Sequence, residues 1–338
     1  MIGIPFDGPE KIRPVANDRA RYRAMEDRIF AHYRAGRHAE GAALARTAYA
    51  DLPDWRADLA HMAACLLVKD GRPAEAYAEM AAALAAGAWW HRRILVEDDD
   101  LAPLRELPDF AELVATAHDR AVAAASQARP PLVRRPLGEP VGVLVALHGA
   151  GEDADDAAGA WASAVDVGWL LLAVESTQRN TPTYRSWPEH EVAVRDVEAA
   201  LANLTPAERA LPLVSAGFSA GGRVAIRWAL AGPAVAFIAM APAIDSEQVD
   251  ASLAGAAVRR ELSGHVVLGS EDGDVRDGAL AAVATSREIG LVCVLDEVAG
   301  LGHAFPENFA DRLPKLLASA RNKGKEAGAP SAPVKSAD

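Results

Sequence analysis

One stretch, residues 213–230, constrains the fold of this chain more than any other. The apolar run 213–218 leads into Gly217-Phe218-Ser219-Ala220-Gly221, and a helix-like run follows at residues 223–230. A strand, a G-x-S-x-G motif and a helix in this order predict a sharp turn that lifts the serine hydroxyl above a sheet. The two outer glycines leave room for the neighbouring strand and helix. The turn also brings the backbone N–H of Ala220 beside the hydroxyl, where a developing oxyanion is stabilised.

The composition allows two domains and argues against several classes of partner. The 338 residues are 51% hydrophobic, which is enough for two apolar cores, and their formal net charge is -12. This charge argues against nucleic acid or an anionic membrane surface as the main partner. No signal peptide is recognisable, and no apolar run is long enough to span a bilayer. We therefore expect a cytoplasmic protein without a membrane span.

Two features of the sequence could indicate a metal site, and neither has the required spacing. Cys65 and Cys293 are far apart in apolar runs, outside any C-x-x-C or metal-binding pattern. They predict buried thiols in a reducing compartment. The acidic run at residues 97–100 lacks the alternating oxygen ligands and the glycine of a calcium loop. We expect a solvated loop there, with the N-cap of a helix that starts near Leu101, and neither a metal nor an organic cofactor.

Residues 1–128 are predicted to be an all-helical domain, after an extended lead-in over residues 1–16. Gly36-Arg37-His38-Ala39-Glu40 recurs 35 residues later as Gly71-Arg72-Pro73-Ala74-Glu75, and each glycine lies between two helical segments. This period resembles the tetratricopeptide repeat. Because two such units cannot bury a solenoid core alone, we expect these helices to pack on the second domain, on a second copy or on a protein partner.

The pattern changes after residues 129–140, which hold four prolines and predict a linker or an edge strand. Short apolar runs then alternate with helical segments over residues 141–320, which predicts an α/β domain with a parallel sheet. The polar residues 321–338 are expected to be disordered. The predicted strands are 141–147, 169–174, 213–218, 234–240, 265–269 and 291–295, and helices are predicted near 157–166, 189–204, 220–231, 277–289 and 307–320.

The loop His148-Gly149-Ala150-Gly151 directly follows the first strong strand. A serine that accepts an acyl group needs two N–H donors for the oxyanion, one from the residue after the serine and one from the loop after an earlier strand. Glycines allow the amides of this loop to turn inward. We therefore predict Ala150 as the second donor, beside Ala220, and expect His148 to form hydrogen bonds within its own loop.

Ser219 also needs a histidine as its base. Two histidines follow it in the chain, His265 and His303. His265 begins a predicted strand, from which its side chain would point sideways into the sheet. His303 lies in a glycine-rich loop after the last strand, and we favour it as the base.

The base in turn needs a carboxylate that holds the imidazole tautomer. The loop at residues 269–275 follows the penultimate strand and contains two aspartates. We favour Asp272 as the acid of the triad. Asp274 is the alternative, and Asp245, after the preceding strand, is a third candidate.

Together these motifs resemble the compact phospholipase/carboxylesterase and dienelactone-hydrolase-like group of α/β-hydrolases, over residues 140–320. Arg185-Ser186-Trp187, followed by Asp196, resembles the segment before the first long helix of that group. The resemblance implies an α/β-hydrolase fold, here preceded by an all-α, repeat-like domain. Dienelactone hydrolases use a cysteine nucleophile, so Ser219 implies an esterase or thioesterase. The matching segments are Leu147-His148-Gly149-Ala150-Gly151-Glu152-Asp153, Gly217-Phe218-Ser219-Ala220-Gly221-Gly222, the Asp272 loop and Gly302-His303.

The implied activity is hydrolysis of a small-molecule carboxylic ester or thioester through an acyl-enzyme, with no cofactor. Gly149, Gly151 and Trp187 are the expected substrate contacts. Trp161 and Tyr184 either line the same pocket or belong to the core. Two alternatives stay open: an acyltransferase or peptidase with the same triad, and a non-catalytic interaction scaffold.

Overall fold

The chain forms two compact units in a computed structural model, which describes residues 16–125, 129–245, 247–249 and 262–327. The first unit comprises the N-terminal helices together with Arg179–Tyr184, and the second comprises the rest of the chain. The predicted lead-in lies outside the described residues except for its last residue, Ala16, where the first helix begins.

The first unit is helical, as its periodicity predicts. The repeated sequence motif forms the same turn twice, because Gly36 and Gly71 both adopt positive φ, at 68° and 76°. In each turn the residue after the glycine donates its N–H to a carbonyl five residues back, 3.0 Å away for Arg37 and 2.9 Å for Arg72. This pattern ends a helix at a glycine. The helices are α1 (Ala16–Arg34), α2 (His38–Thr47), α3 (Arg56–Lys69), α4 (Pro73–Ala85), α5 (Arg92–Val96) and α6 (Phe110–Ala125), with 3₁₀ turns at Pro53–Trp55 and Asp99–Glu106.

The first unit has a hydrophobic core of its own. Helix α3 packs between α2 and α4, and the second 3₁₀ turn also packs against it. Trp90 is fully buried and donates its indole N–H to the carbonyl of Ala57, 3.0 Å away. The predicted repeats therefore do not bury their apolar faces alone, since the segments after α4 complete the core.

The segment Arg179–Tyr184 corrects the predicted domain division, in which residues 141–320 formed one continuous domain. The buried carboxylate of Asp58 on α3 accepts hydrogen bonds from the hydroxyls of Thr181, at 2.8 Å, and Thr183. The backbone carbonyl of Asn180 accepts the backbone N–H of His91 at 2.8 Å. These contacts hold the six residues within the helical unit.

The second unit is a seven-stranded sheet flanked by helices, in the strand order β1-β3-β2-β4-β5-β6-β7 within the described residues. All neighbouring strands are parallel except β1, which is antiparallel to β3 and lies in the segment predicted as a linker or edge strand. The strands are β1 (Leu132–Arg134), β2 (Val143–Leu147), β3 (Leu170–Val174), β4 (Leu213–Phe218), β5 (Ala236–Met240), β6 (Ser263–Gly269) and β7 (Val292–Val298). The helices are α7 (Ala154–Ala160), α8 (Ser163–Asp166), α9 (His190–Leu201), α10 (Pro206–Arg209), α11 (Ala220–Ala231), α12 (Arg276–Glu288) and α13 (Phe309–Ala327).

The central strands are continuous apolar runs because both faces of the sheet are covered. In β2, Val143 and Val145 belong to the core cluster that includes α9 and α11 residues, whereas Leu144 belongs to the opposite cluster with α7 and α13 residues. The carboxyl ends of parallel strands meet at one edge of a sheet, so the loops after β2, β4, β6 and β7 lie at the same edge. The register confirms this arrangement, since Leu147 of β2 is paired with Gly217 of β4.

Two element boundaries differ from the sequence predictions. The helix predicted near 157–166 is divided into α7 and α8, because Trp161 ends the first helix and its indole is buried. The last helix continues to Ala327, so disorder predicted from residue 321 is wrong as far as that residue, and residues 328–338 lie outside the described residues. No helix in the described part of the chain has the length and apolar character needed to cross a membrane.

Candidate active site

Ser219 lies at the junction of β4 and α11 in a strained backbone conformation, with φ 51° and ψ −118°. Non-glycine residues in this region cost about 1–3 kcal/mol and occur where the surrounding structure holds them. Three hydrogen bonds hold the turn: Ser219 donates its N–H to Met240, 2.9 Å away, and its carbonyl accepts the N–H groups of Arg223 and Ala243 at 3.1 and 3.0 Å. The serine therefore has the sharp strand-to-helix turn that the motif predicts.

The flanking glycines of the motif have the steric role expected of them. A Cβ on Gly217 would lie 2.3 Å from the carbonyl oxygen of Gly221. A Cβ on Gly221 would lie 2.4 Å from the carbonyl oxygens of both Leu147 and His148. The end of β2, which begins the His148 loop, thus contacts the serine turn backbone to backbone.

The structure brings together two of the predicted acid–base residues, His303 and Asp272. Nδ1 of His303 lies 2.9 Å from Oδ2 of Asp272. The Asp272 side chain is 1% exposed and the His303 side chain 31% exposed, so the carboxylate is buried and the imidazole is accessible. Asp274 and Asp245, the alternative acids, are exposed on the surface.

His303 lies beside Phe218, at the start of the serine turn. Its imidazole packs against the ring of Phe218, the residue before Ser219, with 4.9 Å between ring centroids. Because the carboxylate of Asp272 can only accept at Nδ1, the proton lies there and Nε2 keeps its lone pair. The other histidine considered from the sequence, His265, lies within β6 and is buried.

The loop after β2 is held by its own side chains and amides. His148 donates its Nδ1–H to the carbonyl of Gly149 at 2.7 Å, and its Nε2 accepts the N–H of Ser176 at 3.2 Å. Burial lowers the pKa of His148 to about 4, so the ring is neutral near pH 7 and is structural, as the sequence predicts.

Two backbone N–H groups of the same loop form hydrogen bonds that fix its shape. Gly149 donates its N–H to Oε2 of Glu152, and Gly151 donates its N–H to the carbonyl of Arg185, both at 2.8 Å. The two glycines predicted to contact substrate therefore use their N–H groups to shape the loop. Ala150 between them is exposed.

Trp187 was expected to contact substrate, and its environment argues for a different role. Its side chain is buried, with 1% exposure, and donates its indole N–H to the carbonyl of His148 at 2.8 Å. Arg223 of α11 donates to the carbonyl of Trp187, also at 2.8 Å. Trp187 thus links the loop after β2 to the helix after the serine. Of the other aromatic candidates, Trp161 packs in the core against Phe309, and Tyr184 lies in the helical unit.

A cluster of charged side chains around the buried Glu175 helps to hold the loop after β2, and the sequence motifs did not reveal it. Glu175, directly after β3, accepts hydrogen bonds from Arg129 at 2.9 Å and from Arg185 at 2.7 Å. Burial alone would raise the pKa of Glu175, but the two arginines and the N–H of Ala154 lower it. The backbone carbonyl of Arg185 in turn accepts the N–H of Gly151. The one available signal was the Arg185-Ser186-Trp187 segment that resembles the hydrolase group.

Two family models match this chain, one in the first unit and one largely in the second. Residues 21–125 match the family described as the A/B hydrolase-like N-terminal domain, and residues 138–267 match the family described as serine aminopeptidase, S33. A search of curated proteins gives no significant match.

Among solved structures, an uncharacterized protein from Bacillus cereus ATCC 10987 is 21% identical, with a TM-score of 0.49, over 89% of this chain and 99% of that one. Esterase PE8 is 20% identical, with a TM-score of 0.48, over 56% of this chain and 98% of that one. Acyl-protein thioesterase 2 from Zea mays is 16% identical, with a TM-score of 0.47, over 57% of this chain and 99% of that one.

Proposed function

We propose that this chain, which has an α/β-hydrolase fold and an N-terminal helical domain, is a serine carboxylesterase or thioesterase acting on small to medium acyl substrates. The family matches over residues 21–125 and 138–267 support a hydrolytic function. Ser219 is the nucleophile, His303 the general base and acid, and Asp272 the carboxylate that orients the imidazole. The backbone N–H groups of Ala150 and Ala220 form the oxyanion hole.

The hydrogen bond between His303 and Asp272 is the observation that carries this proposal. It joins a buried carboxylate to an accessible imidazole in the loop that packs against Phe218, next to the strained serine. A scaffold protein gains nothing from a buried acid, an accessible imidazole and a strained serine at one edge of the sheet. This combination favours a catalytic function over the interaction scaffold.

In the first step Oγ of Ser219 attacks the acyl carbon while Nε2 of His303 takes the hydroxyl proton. The new C–O bond makes a tetrahedral oxyanion, which the N–H groups of Ala150 and Ala220 stabilise. Loss of one such donor costs about 2.7–4 kcal/mol in the transition state. The bond to the leaving alcohol or thiol then breaks, and His303 returns the proton to that group.

In the second step a water molecule attacks the acyl-enzyme. His303 removes its proton, the acyl–Ser219 bond breaks, and the same proton restores the serine hydroxyl. Asp272 remains ionised throughout and stabilises the imidazolium that forms twice in the cycle. The products are a carboxylic acid and an alcohol or thiol.

A fluorophosphonate probe tests this proposal without any assumption about the substrate. We expect stoichiometric labelling, located at Ser219 by mass spectrometry and lost in Ser219→Ala and His303→Ala. The Asp274→Asn variant, altered at an exposed carboxylate, should label at the wild-type rate. Absence of labelling in the folded wild-type protein would contradict the proposal and favour the scaffold.

A substrate panel then separates hydrolysis of esters from the alternatives. The match to the serine aminopeptidase family is a specific reason to include aminoacyl anilides beside p-nitrophenyl esters and acyl thioesters. Faster turnover of the anilides would favour a peptidase. Accumulation of a new ester when an alcohol is added would favour an acyltransferase.

A further inference from the structure

Three side chains of metal-ligand type converge in the helical unit, which contains none of the residues proposed for catalysis. His61 and Cys65 lie one turn apart on the same face of α3, and Asp98 is the N-cap of the 3₁₀ turn that packs against this helix. The Sγ atom of Cys65 lies 3.9 Å from Nε2 of His61 and 3.6 Å from Oδ2 of Asp98. The last edge of the triangle, from Nε2 of His61 to Oδ2 of Asp98, is 3.1 Å.

This arrangement differs from a nucleophile–base–acid relay. In a relay, the nucleophile and the acid contact opposite nitrogens of the imidazole. Here both Cys65 and Asp98 face the same atom, Nε2 of His61. The three atoms therefore lie as close to one another as the ligands of one ion do.

The dimensions of the triangle suit a tetrahedral zinc ion. With Zn–N, Zn–O and Zn–S bonds of about 2.0–2.3 Å, tetrahedral angles place the ligand atoms about 3.3–3.7 Å apart. Of the observed distances, 3.6 Å lies within this range, 3.1 Å below it and 3.9 Å above it. Side-chain rotations of His61 and Asp98 that move their ligand atoms by a few tenths of an ångström would bring all three distances into this range.

The carboxylate of Asp98 is already oriented for this role. Its Oδ1 accepts the N–H of Asp100 at 2.9 Å, which leaves Oδ2 directed at the cluster. Its backbone carbonyl accepts a hydrogen bond from Arg105 at 2.8 Å. Asp100 in turn forms a 2.7 Å ion pair with Lys69, the last residue of α3. The 3₁₀ turn is thus tied to the helix that carries the other two ligands.

A cavity of about 400 Å³ within the helical unit gives an ion access to the cluster. His61 and Asp98 line it, whereas Cys65 lies behind them and is buried. The wall carries more carboxylates than cationic groups, which favours entry of a cation. Besides His61 and Asp98, the acidic and basic residues that line the cavity are Glu26, Asp58, Glu97 and Arg93.

We propose that His61 Nε2, Cys65 Sγ and Asp98 Oδ2 bind one zinc ion, with a fourth coordination position open to the cavity. A thiolate and an imidazole select Zn²⁺ over Mg²⁺ and Ca²⁺, which prefer all-oxygen sites. Binding forms the Zn–S and Zn–N bonds as the Cys65 thiol and Nε2 of His61 each lose a proton to the solvent. The ligand pattern, His-x-x-x-Cys with a distant aspartate, contains no cysteine pair and is therefore not recognisable from the spacing of the cysteines.

Zinc titration of the reduced, metal-free, full-length protein tests the proposal. Competition with a chromophoric chelator should give one Zn²⁺ per chain. Cys65→Ser and His61→Gln should each weaken binding at least about 100-fold, since loss of a direct ligand exceeds the 10–100-fold effect typical of an outer partner. Cys293→Ser is the matched control, because Cys293 is also a buried free thiol but lies in the other unit.

Cobalt substitution supplies a second readout that does not depend on the cysteine variant folding. Co²⁺ bound to the wild-type protein should show a thiolate charge-transfer band and the d–d bands of a four-coordinate ion. The Asp98→Asn variant should keep the charge-transfer band with weaker affinity. Sub-stoichiometric zinc binding, binding unchanged in Cys65→Ser, or cobalt spectra without a thiolate band would each overturn the proposal. Fluorophosphonate labelling of Ser219 is independent of all these results.

Discussion

Nδ1 of His303 lies 2.9 Å from Oδ2 of Asp272. This contact distinguishes Asp272 from Asp274, which lies two positions later in the same loop. Asp272 faces inward from the end of β6 and is buried, whereas Asp274 is exposed. The imidazole can therefore be oriented by the first carboxylate, and the second has no comparable contact with it among the described residues.

The first prediction concerns this pair. Asp272→Asn should lower kcat for an ester substrate by about 10²- to 10⁴-fold, because an amide no longer fixes the proton on Nδ1. Asp274→Asn should change kcat less than about twofold. Steady-state kinetics and the rate of fluorophosphonate labelling measure both. If the change at Asp274 were the damaging one, the assignment of the acid would be wrong.

The second prediction concerns the close contact at the serine turn. Gly221→Ala should destabilise the second unit by about 3 kcal/mol or more, because its Cβ would lie 2.4 Å from backbone oxygens that cannot rotate away. Gly273→Ala is the control, since a Cβ there has no atom within 4 Å, and it should stay within about 0.5 kcal/mol. Urea denaturation compares the two. Equal stability of both variants would show that the turn tolerates a side chain.

The third prediction separates positioning from substrate contact at Trp187. Trp187→Phe keeps the aromatic packing but leaves the buried carbonyl of His148 without its donor, a loss of about 1–3 kcal/mol. Because this carbonyl belongs to the loop that carries Ala150, kcat should fall about 5- to 100-fold while KM changes little. Kinetics with esters of increasing acyl length give the result. A variant with altered chain-length preference and normal kcat would indicate direct substrate contact instead.

The fourth prediction is a pH dependence of stability that comes from His148. Its pKa is about 4 in the folded state and about 6.5 when the imidazole is exposed. Between these values the unfolded chain binds a proton that the folded chain excludes, so stability falls as pH decreases from about 6.5 to about 4. The difference between the two pKa values corresponds to about 3 kcal/mol of unfolding free energy.

A histidine replacement isolates this contribution. In His148→Gln, the amide oxygen can still accept the N–H of Ser176, but the side chain does not titrate. The variant should therefore lose less stability than the wild type between about pH 7 and pH 4.5 in urea denaturation, although the pKa of His190 is also lowered to about 4 and titrates in both proteins. Parallel pH profiles of the two proteins would contradict this account.

The fifth prediction concerns the segment Arg179–Tyr184. Asp58→Ala removes the acceptor of both Thr181 and Thr183. The free energy needed to open the segment locally should fall by about 1–3 kcal/mol per lost partner, so the segment should open more often. Trypsin should then cleave after Arg179 faster than in the wild type. The exposed Asp54, four residues earlier, provides the control variant Asp54→Ala, for which the cleavage rate should not change. Equal cleavage in both variants would mean that the threonine contacts do not hold the segment.

Local pattern was sufficient for most of the fold. The G-x-S-x-G turn, the glycine loop after β2 and the helix-ending Gly36 and Gly71 are encoded by residues whose backbone demands are local. Continuous apolar runs indicated strands that are buried on both faces, and the order of the motifs along the chain placed their loops at one edge of a parallel sheet.

Tertiary structure decided what depends on partners distant in the sequence. Asp272 and Asp274 are equivalent as residue types, and only burial and the contact with His303 distinguish them. Nothing local in residues 179–184 indicates that they belong to a domain that precedes them by more than fifty residues, because the partner of Thr181 is Asp58. The sequence by itself thus determined the elements and the reactive residue types. Packing decided which side chains meet, since a hydrogen bond or a metal ligand is selected by distance and direction rather than by position in the chain.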